Sequence, residues 1–254
     1  SMIFLNEDDS VLKAKAAGQP CHCFGYGLEY QGASILPSSA EEPFLRLMLD
    51  GAVISTRLIG AYNAANVLAA IAVGDYFGIP REESIAAVES FVPDNERSEM
   101  RRTQKNALIV DAYNANPTSM AAALDNFERM LGGGEGRPGL ALLGEMRELG
   151  ADSLREHASL LRRLLASGNI PCVMLVGQEF LKALDECGLE YEVVDEEGKV
   201  AAKNSRSGEG NSPFVWAPTS EALLKYLRAH SVEGRLVLIK GSRSTQMEKV
   251  IPAL

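Results

Sequence analysis

The sequence predicts an α/β protein whose larger part is a mainly parallel sheet with helices on both faces. Two observations carry this. From about residue 97 onward, short β-type apolar runs alternate regularly with amphipathic helical stretches. With 46% hydrophobic and 23% charged residues, the chain also has the side chains to bury a substantial core.

In chain order, 2–5 is a compact apolar run, Asp9 caps a helix through Ala17, and 22–26, 30–36, 44–49 and 52–58 read as strands between Gly, Pro or Asp turns. Gly60 precedes a mostly buried helix over 61–77, rich in Ala, Leu, Ile and Val and stopped by Gly78 and Pro80. A second helix covers 81–91, and Pro93-Asp94-Asn95 breaks the pattern. Beyond it, strands are expected at 107–110, 140–143, 173–176, 191–194, 214–216 and 236–239. The helices between them fall at 117–131, 152–166, 179–187 and 220–230. A domain boundary is expected at 93–96, and the polar segment 196–212 reads as a mobile loop or an embellishment.

The 254 residues include 34 acidic and 25 basic side chains, a formal charge of −9. That balance argues against nucleic-acid binding by broad phosphate neutralisation, but not against a small anion held by a few local donors. No uncharged apolar run approaches the ~18 residues of a membrane span, so no membrane insertion is expected and cytoplasm is the default compartment. The four cysteines are too few to staple the chain. Cys21-His22-Cys23 lacks a second ligand pair at zinc spacing, so no metal site is assigned. Ser1 precedes Met2; an initiating methionine does not follow a serine, so the reading frame is expected to start upstream.

The sequence carries no complete catalytic motif. Gly134-x-Gly136-x-x-Gly139 follows a helix and precedes a strand, the reverse of a dinucleotide loop, and reads as an ordinary connection. There is no phosphate-loop lysine motif, no nucleophile elbow and no zinc helix.

Three clusters are more informative. Gly60–Asn66 places Asn63 and Asn66 on one face near a helix start, where carboxamides offer the donor and acceptor an adenine edge requires. Capping and bonding to a neighbouring loop is an equally good reading. Next, an apolar strand ends in Asp111 and runs into Tyr113, Asn114, Asn116 and Pro117. Polar residues just past the carboxyl end of a strand lie where open α/β sheets bind ligands, though helix capping uses the same residues. Finally, a strand ends in Lys240-Gly241-Ser242-Arg243, which either attracts a carboxylate or phosphate or is a surface turn with solvated cations.

Together these clusters resemble the Mur ligases of peptidoglycan synthesis, in particular the branch that adds D-alanyl-D-alanine. The resemblance rests on GAYNAAN at 60–66, NERS at 95–98, DAYNANPTSM at 111–120, LLGEMRELG at 142–150 with His157 after it, VGQEF at 176–180 and KGSR at 240–243. It implies a three-domain enzyme of which this chain holds the rear of the α/β ATP-binding central domain, residues 1–94, and a Rossmann-like C-terminal domain, 95–254. The phosphate loop and the ligands of Mg would lie before residue 1. The implied reaction phosphorylates the carboxylate of UDP-N-acetylmuramoyl-tripeptide with ATP and lets the amine of D-alanyl-D-alanine attack the acyl phosphate.

By that resemblance Asn66 contacts adenine beside Asn63, Arg97 reaches the ATP phosphates as a catalytic residue on domain closure, and Asp111 contacts ribose. Tyr113, Asn114 and Asn116, with Lys240, Ser242 and Arg243, fall on the substrate side. Tyr62, Ala112 and Glu145 depart from the family's usual His, Ser and Asp. The competing expectations are a ligase of the same superfamily with another amino-acid substrate, and a non-catalytic Rossmann-like binding module.

Overall fold

The structure is a computed structural model and describes residues 1–38, 42–93, 99–132, 137–204 and 213–254. Two compact units divide the chain, Ser1–Pro93 and Asp94–Leu254.

In the first unit, β1 (Met2–Asn6) and β2 (His22–Tyr26) pair in parallel. They are joined through α1 (Ser10–Ala16), whose cap Asp9 accepts from the N–H groups of Val11 and Leu12. A separate antiparallel sheet is formed by β3 (Ser34–Ile35), β4 (Phe44–Leu49) and β5 (Ala52–Ile59). The strand expected over 30–36 shrinks to two residues because the chain before it folds into a turn. There Gln31 N–H donates to the Gly27 carbonyl and Ala33 N–H to that of Leu28.

Leu45, Leu47 and Leu49 alternate inward along β4 and meet Ile54 and one face of α2 (Ala64–Tyr76), formed by Ala64, Val67, Leu68 and Ile71. The helix expected from residue 61 instead opens as a 3-10 turn, Ala61–Asn63. α3 (Arg81–Ser90) packs on α2 and β5.

The second unit is built on an eight-stranded sheet. Its strands are β6 (Glu99–Arg102), β7 (Ala107–Asp111), β8 (Gly139–Gly144), β9 (Val173–Val176), β10 (Tyr191–Val194), β11 (Val200–Asn204), β12 (Phe214–Ala217) and β13 (Leu236–Lys240). They lie in the order β11-β10-β12-β9-β8-β13-β7-β6; the inner six are parallel and the two edges antiparallel. The α/β class with a mainly parallel sheet is as expected. Every residue of β8, β9, β12 and β13 is buried, which is why these strands read as unbroken apolar runs.

Four helices connect them: α4 (Pro117–Gly132), α5 (Ser153–Ser167), α6 (Gln178–Glu186) and α7 (Ser220–Ala229). Each buries a stripe at helical spacing, such as Met120, Ala123, Leu124 and Phe127 on α4.

Two strands escaped the sequence reading. β6 reads Glu-Met-Arg-Arg, and Glu99 and Arg101 pair with each other at 2.8 Å; charge suits an edge but hides it from a search for apolar runs. The polar segment 196–212 is not simply a loop, because it contains β11, paired antiparallel with β10; residues 205–212 lie outside the described residues. Gly134 and Gly136 also lie outside them, between α4 and β8.

Strand order reverses at two places. β13 lies between β7 and β8, and β12 between β9 and β10, so the connections β7–α4–β8 and β9–α6–β10 each step over a strand. Loops at the carboxyl ends of strands part at such points and leave room for ligands.

Candidate functional site

In the second unit, register brings the ends of β7 and β13 together: Lys240 lies opposite Asp111 on one side and Leu143 of β8 on the other. The Lys240 side chain is 1% exposed, with Nζ 2.6 Å from Asp111 Oδ2 and 3.1 Å from the carbonyl oxygen of Asn114. Its charge therefore holds Asp111 and the loop after β7, rather than facing solvent as a free cation. Asp111 retains Oδ1, for which no partner occurs among the described residues, and the side chain is 14% exposed.

The loop after β7 divides its polar groups between structure and solvent. Asn116 caps α4: its Oδ1 accepts from Ser119 N–H at 2.8 Å, and its own N–H donates to Ser119 Oγ at 3.1 Å, with Pro117 at the first helical position. Asn114 is exposed, and its Oδ1 accepts from Ala115 N–H. The half-buried Tyr113 carries the Arg243 guanidinium over its ring at 5.5 Å, a cation–π contact that links this loop to the one after β13.

In that second loop, Arg243 is exposed but Ser242 is buried, its Oγ 3.3 Å from that of Ser244. A Cβ on Gly241 would stand 2.6 Å from Thr245 Oγ1, 2.7 Å from Met247 Cγ and 3.0 Å from Gly144 Cα, so this glycine allows close approach both to the segment that follows it and to the end of β8.

The loops after β8 and β9 form a linked network; the resemblance places 176–180 on the acceptor side but gives Glu145, Ser153, His157 and Glu179 no individual role. Glu145, 3% exposed, accepts from Glu179 N–H at 2.9 Å through Oε2 and pairs with Arg147 at 2.7 Å through Oε1. Its carboxylate thus occupies the start of α6, where an incoming anion would otherwise find free N–H groups. Trp216 Nε1–H donates to the Gly177 carbonyl at 2.8 Å, and Gly177 itself sits at φ +111°, a conformation that favours glycine.

Ser153 Oγ donates to Glu179 Oε2 at 2.6 Å; bonds from Lys182 and then Ser153 hold the Glu179 carboxyl below its ordinary range. His157 is fully buried, its Nε2 3.0 Å from Met146 N and its Nδ1 2.7 Å from the Ser153 carbonyl. Besides the motifs at 142–150 and 176–180, the sequence signals this network by its order: a carboxylate directly after an apolar strand, and a histidine on the apolar face of the next helix.

In the first unit the two carboxamides separate in role. Asn63 is buried and makes no side-chain cap bond to α2; it donates instead to the carbonyl of Ile59, the last residue of β5, at 2.8 Å. Asn66 Nδ2 donates to Asn63 Oδ1 at 3.1 Å, which leaves its own Oδ1 and second amide hydrogen without a partner among the described residues. Asn66 lines a largely apolar cavity of about 650 Å³ walled by Val67, Val73, Ile79, Val88 and Phe91. Arg97 and the rest of NERS lie outside the described residues. Among the described residues no group of three or more His, Cys, Asp or Glu side chains is placed to hold a metal ion.

A mainly parallel sheet with polar loops gathered at the carboxyl ends of its strands defines the second unit as an open α/β class of architecture. The family described as Mur ligase, glutamate ligase domain, matches residues 96–243, and the chain belongs to the Mur ligase family. The UDP-N-acetylmuramoyl-tripeptide–D-alanyl-D-alanine ligase of Treponema pallidum is 32% identical over 212 residues, covering 82% of this chain and 40% of the relative. The enzyme of the same name from Bacillus subtilis is 29% identical over 199 residues, covering 78% and 38%.

Among solved structures, MurF from Acinetobacter baumannii superposes with a TM-score of 0.71 at 22% identity, covering 99% of this chain and 51% of that one. MurF ligase from Thermotoga maritima in complex with ADP gives 0.71 at 17% identity, covering 100% and 52%. The chain therefore spans about two fifths of the length of these curated relatives.

Proposed function

We propose that this chain is part of an ATP-dependent ligase that joins D-alanyl-D-alanine to UDP-N-acetylmuramoyl-tripeptide in the cytoplasm. The observation that carries the reading is the pairing of Lys240 with Asp111 at the ends of adjacent strands, directly before a loop whose YNANPTSM string resembles the D-alanyl-D-alanine branch. The 32% identity to the Treponema pallidum ligase supports the choice of branch.

In the proposed reaction, ATP phosphorylates the peptide carboxylate and the dipeptide amine displaces phosphate to form the amide. The residues fit the nucleotide. Asn66 has an acceptor and a donor open beside an apolar cavity, the combination an adenine edge needs. Asp111 has one carboxylate oxygen open for a ribose hydroxyl while Lys240 holds the other. Arg243, steadied by Tyr113, is the exposed cation at the β13 end and suits a substrate carboxylate. Arg97 is assigned to the ATP phosphates as the catalytic arginine by its NERS motif.

The first unit is assigned as the rear of a central ATP-binding domain. A lone parallel pair such as β1 and β2 is normally part of a larger covered sheet, which supports further strands from the part of the relatives' length this chain does not span. The phosphate loop and the ligands of Mg are assigned to that part too; the ion would offset phosphate charge there.

The test is turnover by the protein expressed from the full reading frame. Phosphate release from ATP should require both UDP-N-acetylmuramoyl-tripeptide and D-alanyl-D-alanine. Release with another amino acid in place of the dipeptide would move the chain to a sister ligase. No release with any acceptor would leave a binding module.

A further inference from the structure

His157 is the buried polar exception on a helix face otherwise made of Ala158, Leu160, Leu161 and Leu164. Burying an imidazole is costly unless its nitrogens are bonded, and both are. The Met146 N–H can only donate, so Nε2 is the acceptor and Nδ1 carries the proton given to the Ser153 carbonyl. The ring also meets Phe180 edge-on at 4.8 Å. A leucine or phenylalanine would fill the same space, so packing alone does not require histidine here. What histidine adds is a partner for the N–H of Met146, a residue 1% exposed.

That bond acts on the site through the backbone. Met146 follows Glu145, whose carbonyl accepts from Ser242 N–H at 3.3 Å, and Ser242 precedes Arg243. Glu145 N–H in turn donates to the Val176 carbonyl at 3.0 Å, so one short stretch after β8 ties together the ends of β8, β9 and β13.

We propose that His157 is a positioning residue for the acceptor side of the ligase site, holding the loop after β8 through Met146 and thereby the backbone that presents Arg243. This rests on the ligase reading above and touches no substrate directly.

Two measurements test it. In the full-length protein, His157→Phe keeps the ring but lacks the acceptor, whereas His157→Gln carries an amide oxygen at about the reach of Nε2. H157F should raise KM for D-alanyl-D-alanine about tenfold with KM for ATP nearly unchanged, and H157Q should recover most of the loss. In the 254-residue chain, hydrogen exchange at the Met146 amide should accelerate in H157F and stay slow in H157Q. Should H157F not fold, His157→Asn, which reaches the Nδ1 position but not that of Nε2, takes its place.

An unchanged dipeptide KM, or equal rises for ATP and dipeptide, overturns the proposal, as does a Met146 amide that exchanges alike in all variants. If the wild type shows no turnover with the dipeptide, the ligase reading and the acceptor role fall together. The Met146 exchange still decides whether His157 holds the loop.

Discussion

Lys240 and Asp111 lie 129 residues apart in sequence, yet the lysine Nζ sits 2.6 Å from the aspartate Oδ2 because β7 and β13 are adjacent parallel strands in exact register at their carboxyl ends. Nearly all of the lysine is buried. Breaking a buried pair leaves an uncompensated charge, which costs more than the pair contributes. Lys240→Met should therefore lower unfolding stability by about 3 kcal/mol in urea titration, through the stranded Asp111 carboxylate. The double variant with Asp111→Asn should regain part of that loss. Additive losses would show that the two side chains do not interact.

The two asparagines after β7 should part in the same assay. Asn116 exchanges two bonds with Ser119 at the start of α4, so Asn116→Ala should cost about 1 kcal/mol as a lost cap. Asn114 is exposed and offers its own side chain only to the adjacent Ala115 N–H, so Asn114→Ala should change stability by less than about 0.5 kcal/mol. Should Asn114→Ala be the more destabilising of the two, the division of roles in this loop would be wrong.

These pairs show what was legible in the sequence. β7, β8, β9, β12 and β13 are buried on both faces, so their apolar runs stood out. β6 and β11 sit at the edges, where charge and polarity are tolerated, and nothing local marked them as strands. Asp111 and Lys240 were recognisable as strand-end polar residues, but their meeting depends on β13 inserting between β7 and β8. Lys240 reads from sequence either as a cation for a carboxylate or phosphate or as a solvated surface charge, whereas the fold makes it the buried partner of Asp111. Asn63 and Asn66 stand at local spacing, which fits base recognition and structural bonding alike; the bond from Asn63 to the Ile59 carbonyl depends on the path of the chain out of β5, which that spacing does not show.

The protonation state of His157 predicts a pH dependence. Burial lowers its pKa below the ordinary 6.5, against the raising influence of the Ser153 carbonyl and of Glu145, Glu179 and Glu156. The unfolded chain thus binds this proton more readily than the folded one. The stability tied to neutral His157 is complete above pH 6.5 and is lost as pH falls from there toward the lowered folded value. Glu179, whose pKa is depressed below 4.5, begins to lose its own contribution only at more acidic pH. Denaturant midpoints between pH 7.5 and 5 should therefore fall more steeply for wild type than for His157→Gln. Parallel profiles would show that His157 does not titrate differently on folding.

Asn63 and Asn66 give the sharpest contrast between folding and binding. Asn63 is buried, donates to the Ile59 carbonyl and accepts from the exposed Asn66, so removing its carboxamide strands the carbonyl of a residue that is 1% exposed. Asn63→Ala should cost about 2 kcal/mol of stability in the isolated chain. Asn66 keeps an open oxygen and amide hydrogen at the wall of the apolar cavity, and loses one exchangeable bond when truncated. Asn66→Ala should cost less than about 1 kcal/mol of stability, yet raise the KM for ATP of the full-length protein about tenfold, because the base edge loses its donor and acceptor together. GTP should gain relative to ATP in that variant, since the discriminating groups are gone. An Asn66→Ala enzyme with unaltered ATP KM and nucleotide preference would move adenine recognition away from this helix start.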